Sequence, residues 1–154
     1  METNSTDSLL LILCQHQARY AVPAENVEEI LPMPDITALP RQPGWLRGIC
    51  NYKPYIVPVL SLRAVCGGTA DADEAVCVIL RLDDMYLALT ADRAEALVPD
   101  SGQRMEEGDM LPDGRLLSLS FVMPGEPAVF ALDIRKMYLK IENDFNKAVG
   151  MRGA

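Results

Sequence analysis

The chain is poor in the residues that most enzyme chemistry needs. Its 154 residues include one histidine and one tryptophan, aromatic side chains make up 6%, and 14 basic residues face 22 acidic ones. The lone His16 has no second histidine and no paired cysteines with which to complete a tetrahedral zinc site, so it is expected as a surface residue. No G-x-S-x-G, H-E-x-x-H, P-loop or G-x-G-x-x-G occurs, and any Ser-His or Cys-His nucleophile would have to use that one imidazole. Four cysteines, Cys14, Cys50, Cys66 and Cys77, stand at unrelated spacings without a C-x-x-C. They are expected as reduced, buried thiols in a cytoplasmic protein rather than a disulfide framework. The longest apolar run, Leu9 to Cys14, is far short of the roughly 20 residues that cross a bilayer, and "METNSTD" before it lacks the basic start of a signal peptide. The expectation is a soluble, untargeted chain with no direct membrane insertion. A formal charge of −8, with no stripe of Lys and Arg, repels phosphate backbones and argues against a nucleic-acid partner.

Carboxylate pairs stand at Glu28-Glu29, Asp83-Asp84 and Glu106-Glu107. Adjacent strand residues point to opposite faces, so none of these pairs presents two carboxyls to one substrate, and Asp83-Asp84 suits a hairpin turn before Met85. "GGTADADEA", residues 67 to 75, has aspartates but no glycine or distal glutamate at calcium-loop positions, and is expected as a solvated linker. No catalytic, metal or cofactor site is expected, which leaves a binding module.

What is present is 49% hydrophobic residues, enough for a core, arranged in a repeat. "LLLILC" is a short buried strand, followed by the turn "QHQAR", a strand from Tyr20 and the crossing piece "PAENVEEILP". "VCVILRLDDMYLALTADRAEALVP" repeats that program. Tyr86 answers Tyr20, and the stretch Ala94 to Pro99 answers Val27 to Pro32 with a one-residue slip. "KPYIVPVLSLR" aligns with "GEPAVFALDIR", matching Val57 with Val129, Leu60 with Leu132, and Ser61 with Asp133, both N-cap residue types. Each copy supplies about five short strands, which favours small barrels over an open sandwich. Pro54 and Pro58 are tolerable in such a strand where it bends or borders an edge. The expected architecture is mainly β: one subdomain over about 9–68, a linker at 67–75, a second subdomain over about 76–133, and a C-terminal α-helix over about 134–148. That helix carries the stripe Ile134, Met137, Tyr138, Ile141 and Phe145.

Three residues stand out for a plain scaffold. Trp45, after a Pro-Gly turn, has two roles open to it: plugging a barrel end, or serving as an exposed contact anchor. Arg47 and Lys53 are isolated cations flanking the strand near Gly48, suited either to surface ion pairs or to a partner.

The order Tyr20-Ala-Val-Pro, Val27 with Glu29-Ile30, "ITALP", Gly48-Ile49-Cys50-Asn51, Val57-Pro58-Val59 and Leu62-Arg63 resembles the CheW-like domain of bacterial chemosensory systems. The family pattern is approximately Y-x-I-P, V-x-E-I, I-T-x-V-P, G-V-I-N-L-R-G-x-V-x-P-V-x-D-L-R. The resemblance is strongest over residues 9 to 68 and continues to about Leu139. It implies two five-stranded SH3-like barrels with a groove between them, and a non-catalytic adaptor without cofactors. The implied partners are the cytoplasmic tip of a chemoreceptor (a methyl-accepting chemotaxis protein) and the regulatory domain of the chemotaxis histidine kinase. By position, Val27, Glu29 and Ile30 fall on the receptor-contacting surface, and Gly48 and Asn51 on the G-x-x-N motif. The chain departs at Tyr52-Lys53-Pro54, where the family has L-R-G, and at Ser61, where it has Asp. Lys53 lacks the planar fork that could hold Glu29 in a bidentate pair. Trp45 and Ser61 also resemble adaptors of type IV pilus pathways, and Lys53-Pro54 implies as an alternative a specialised or decoy coupler that binds receptor with weakened kinase coupling.

Overall fold

The computed structural model describes residues 9–15, 18–40, 42, 44–65, 74–99, 117–122, 128–132, 134–139 and 141–143. His16, Cys66, Glu106-Glu107, Asp133, Phe145 and the linker up to residue 73 therefore lie outside the described residues. The strands are β1 (Leu9–Gln15), β2 (Ala18–Pro23), β3 (Val27–Pro32), β4 (Leu46–Tyr52), β5 (Tyr55–Ser61), β6 (Val76–Leu82), β7 (Met85–Ala91), β8 (Arg93–Pro99), β9 (Leu117–Val122) and β10 (Ala128–Leu132). A single helical turn, α1 (Leu62–Val65), follows β5, and residues 134–139 and 141–143 are helical.

Two five-stranded sheets result, in the orders β8-β1-β2-β10-β9 (sheet A) and β3-β6-β7-β5-β4 (sheet B). Advancing every strand of sheet B by five positions, with β6 and β7 wrapping round to β1 and β2, gives the order of sheet A. The duplication is thus real, but the expected division at 67–75 does not separate the sheets. Each sheet takes strands from both copies: β1 and β2 complete a sheet with β8, β9 and β10, while β6 and β7 complete one with β3, β4 and β5. The reason lies in the ladders. β1 and β6 each have two neighbours, a hairpin partner from their own copy and a third strand, β8 or β3, from the other.

Register also corrects the alignment of the copies. Leu13 lies opposite both Tyr20 and Ala94, and Leu80 lies opposite both Leu87 and Val27. Leu87, rather than Tyr86, is therefore the counterpart of Tyr20, and the one-residue slip disappears. A shift of one residue turns a side chain to the other face of the sheet. Tyr20 and Leu87 are both buried, whereas Tyr86 is only partly so. The ladder passes over Glu28 in β3 and Glu95 in β8 at matching bulges.

The apolar run of β1 and its counterpart β6 is explained by burial on both faces. Leu11, Leu13, Val78 and Leu80 point into one core shared by the two sheets, together with Tyr20, Leu60, Leu87 and Leu89. The intervening Leu10 and Ile12 pack with Ala21 and Val129, and Cys77 and Ile79 with Cys50, Val57, Val59 and Ala88. Each buried leucine contributes about 1.5–3 kcal/mol. The helical stripe behaves as expected: Ile134, Met137 and Ile141 enter the shared core and Tyr138 packs against it.

Hairpin turns follow their residues. Asp83-Asp84 joins β6 to β7, with Asp83 at φ +57°, a left-handed conformation that aspartate tolerates. Lys53 and Pro54 form the turn between β4 and β5, joined by a cis peptide bond. Pro58 is opposite Ile49 of β4, while the parallel ladder to β7 begins at Val59. On the β7 side, the missing donor of Pro58 falls outside the ladder.

Sheet B closes between its two edge strands, β3 and β4. The segment after β3 returns so that Thr37 and Ile49 exchange two backbone hydrogen bonds of 2.8 Å. Gly48 permits this approach: its φ is +140°, and a Cβ there would lie 2.2 Å from the Thr37 carbonyl oxygen. Only glycine fits such a backbone and such a contact.

Candidate functional site

The three β3 residues expected to face a partner behave differently from one another. Val27 is half-buried against the shared core, so it shapes the edge from beneath. Glu29 and Ile30 are exposed, and Ile30 keeps 43% of its surface accessible on an edge strand. Leu97, its counterpart on edge strand β8, is 60% exposed. The two copies therefore present an aliphatic side chain at the same place on equivalent edges. Both bulge residues are exposed, and Glu95 pairs with Arg19 at 3.1 Å and accepts a hydrogen bond from the Cys14 thiol.

Glu29 is held by a tyrosine. The Tyr52 hydroxyl donates to Glu29 Oε1 at 2.7 Å, tying the two edges of sheet B by a side-chain bond. This hydrogen bond, followed by burial, pushes the Tyr52 phenol up to about 12. Lys53, expected as a candidate partner of Glu29, is exposed in the adjoining turn.

Tyr52 belongs to a cluster that caps this end of sheet B. Tyr55 stacks on Tyr86 with ring centroids 4.6 Å apart, Tyr52 lies 6.0 Å from Tyr86, and the Arg81 guanidinium sits 5.5 Å over the Tyr86 ring. Tyr52 and Tyr86 close the interior that holds Cys50, Val57 and Cys77. Tyr55, Ile56 and Met85 remain exposed beside them, Ile56 by 67%. Tyrosines thus plug this end of sheet B. Trp45 is half-buried against the shared core, and its carbonyl accepts the Ser61 N–H at 3.2 Å. The tyrosine cluster escaped the sequence reading because alternation within "NYKPY" is interrupted by a turn, which brings Tyr52 and Tyr55 opposite each other.

Arg47 is turned inward. Its Nη1 donates to Glu74 Oε1 at 3.0 Å, and its side chain is only 18% exposed. Glu74, expected within a solvated linker, is 2% exposed. Its burial is a correction to the linker assignment, and its only sequence signal was its place just before an apolar strand.

The thiols are held in protonated form by their surroundings: burial pushes the Cys77 thiol up to about 12 and also raises Cys50 and Cys14. Such thiols are poor nucleophiles and poor metal ligands. Among the described residues, no three His, Cys, Asp or Glu side chains come together in a group that could hold a metal ion, and no helix is long and apolar enough to cross a membrane. What the surface offers is apolar edge and barrel-end area rimmed by charge.

Known proteins with this pattern point one way. The chain is 24% identical over 110 residues to the chemotaxis protein CheW of Thermotoga maritima, covering 63% of this chain and 73% of that protein. It is 23% identical over 146 residues to the chemotaxis protein CheW of Treponema pallidum, covering 90% and 86%. Protein FrzA of Myxococcus xanthus is 31% identical over 96 residues, covering 61% of this chain and 57% of that protein. The crystal structure of the scaffolding protein TtCheW from Thermoanaerobacter tengcongensis shares the fold with a TM-score of 0.71 at 17% identity, covering 82% of this chain and 88% of that one. The CheW-like domain family model matches residues 8–137, and the chain belongs to that family.

Proposed function

We propose that the protein is a non-catalytic adaptor of a bacterial chemosensory system, acting in the cytoplasm to couple a methyl-accepting chemoreceptor to a histidine kinase. The single observation that carries this is the edge strand β3, where Ile30 stands 43% exposed next to the exposed Glu28 and Glu29 in a member of the CheW-like family. An aliphatic anchor flanked by charge suits the amphipathic face of a receptor helical hairpin. The capped end of sheet B, with Tyr55, Ile56 and Met85 exposed, is the second surface and takes the regulatory domain of the kinase.

Ile30 is a better probe than Val27, because a charge at Val27 would disturb the shared core as well as the surface. Ile30→Asp should reduce co-sedimentation with receptor signalling fragments about tenfold while leaving the melting temperature within about 2 °C of wild type. Unchanged recovery of the variant with receptor would count against β3 as the receptor surface.

A second reading is favoured by the Tyr52–Glu29 bond and by the Lys53-Pro54 turn. In it the chain is a specialised coupler, for example of a type IV pilus pathway, that binds receptor but couples the kinase weakly. Replacing Lys53-Pro54 by Arg-Gly should then strengthen kinase association, and an unaltered affinity would reject this version.

A further inference from the structure

We propose that Glu74 is a built-in carboxylate ligand, a positioning residue whose side chain fills a four-donor receptor formed by Arg47, Ser61, Arg63 and Thr90. It thereby fixes the junction at which the second copy enters sheet B. The proposal is independent of which partners the surfaces take.

The contacts saturate the carboxylate. Oε1 accepts from Arg47 Nη1 at 3.0 Å and from Thr90 Oγ1 at 2.7 Å. Oε2 accepts from Ser61 Oγ at 3.0 Å and from the Arg63 N–H at 3.2 Å. A buried carboxylate is tolerated only when its lone pairs are met in this way, and here each oxygen has two donors. The donors come from four places: Arg47 from the bulge of β4, Ser61 from the end of β5, Arg63 from α1 and Thr90 from β7. Glu74 itself lies two residues before β6, and Ala75 beside it bonds the Ala91 carbonyl at 2.9 Å. One side chain, at the entry to β6, thus joins β4, β5 and α1 of the first copy to β7 of the second.

Ser61 does two jobs. Its hydroxyl donates to Glu74 and accepts the Ala64 N–H at 3.2 Å, capping α1. The second copy carries different residue types at two of these places. By sequence, Asp133 stands where Ser61 does, and the matched bulges put Ser118 at the place of Arg47. In the first copy the strand-ending residue is a hydroxyl, the bulge is a cation, and the carboxylate arrives from 13 residues downstream. The departure of Ser61 from the family's Asp follows: a carboxylate at position 61 would confront Glu74 inside a nearly dry cage.

The test is a double-mutant cycle read by thermal unfolding. E74Q keeps the volume and removes the charge, and should lower the melting temperature by about 10 °C, because Arg47 and its neighbours lose their counter-charge. S61D should be destabilising in the wild-type background, yet neutral or stabilising in the E74Q background, where it returns a carboxylate to the cage that still holds Arg47, the Arg63 N–H and Thr90. A residue that mattered only for packing would show no such change of sign. Sodium formate, compared with sodium chloride at equal ionic strength, should raise the melting temperature of E74A and leave wild type unmoved. If E74A does not fold, the E74Q cycle decides alone. Equal effects of S61D in both backgrounds, or an E74Q melting temperature matching wild type, would overturn the proposal.

Discussion

Replacing Gly48 by alanine should weaken the protein through one identifiable joint. The added methyl would stand 2.2 Å from the Thr37 carbonyl oxygen and 2.7 Å from its carbon, both backbone atoms that cannot rotate away. Relief requires the segment at Thr37 to withdraw, and that breaks the two hydrogen bonds it shares with Ile49. Each is worth about 1 kcal/mol net, and a φ of +140° adds about 1–3 kcal/mol of strain for any residue with a Cβ. The total is about 3–5 kcal/mol out of a stability of about 5–15 kcal/mol, or roughly 10 °C in melting temperature. Urea unfolding followed by the fluorescence of Trp45, the only tryptophan, measures it directly, since that residue directly precedes β4 and is half-buried against the core. Gly44→Ala is the control, because a Cβ there meets nothing within 4 Å, and it should stay within about 0.5 kcal/mol of wild type. A Gly48→Ala variant as stable as the Gly44→Ala variant would refute this account of how sheet B closes.

Two further outcomes follow from the fold and from the Tyr52 bond. Residues 1–68 and 69–154 produced separately should each fail to give a cooperative melt, and should regain the native circular dichroism spectrum when mixed, since each sheet draws strands from both sides of that cut; a stable, isolated first half would contradict the exchange of strands. In a spectrophotometric titration Tyr52 should ionise near pH 12, and Glu29→Gln should bring it down towards 10. Because the folded state raises this pKa, the bond supports folding fully below about pH 10 and is lost as the pH climbs through 12. Titration of Tyr52 at its ordinary value in the wild-type protein would mean that the bond to Glu29 does not form in solution.

Much of the fold was legible because strand patterns are local. "LLLILC" and "VCVILRL" marked strands buried on both faces, "LDDMY" marked a hairpin, and the spacing from Ile134 to Ile141 marked a helix whose stripe enters the core. Pairing was not legible, because nothing in a strand's own residues says which copy supplies its second neighbour. The tyrosines misled for the same reason: Tyr20 and Tyr86 look equivalent as letters, yet register sets them on opposite faces. At the candidate site, Glu29 and Ile30 were legible from the family spacing. Their surroundings were not, since the Tyr52 hydroxyl comes from 23 residues away and the tyrosine cap from two separate hairpins. Glu74 was hidden by its neighbours, an acidic run that suggests solvent although its last member is buried.

The five-strand shift that converts one sheet into the other has an ancestral consequence. A gene encoding one copy alone would make a polypeptide whose outer pieces have nowhere to pair except on a twin molecule, giving a symmetric, mutually clasped homodimer with these same two sheets. Tandem fusion of that gene would preserve the clasp within a single polypeptide. It would also free each half to diverge, and Arg47 at the β4 bulge, where the matching bulge of β9 carries Ser118, is a mark of that freedom.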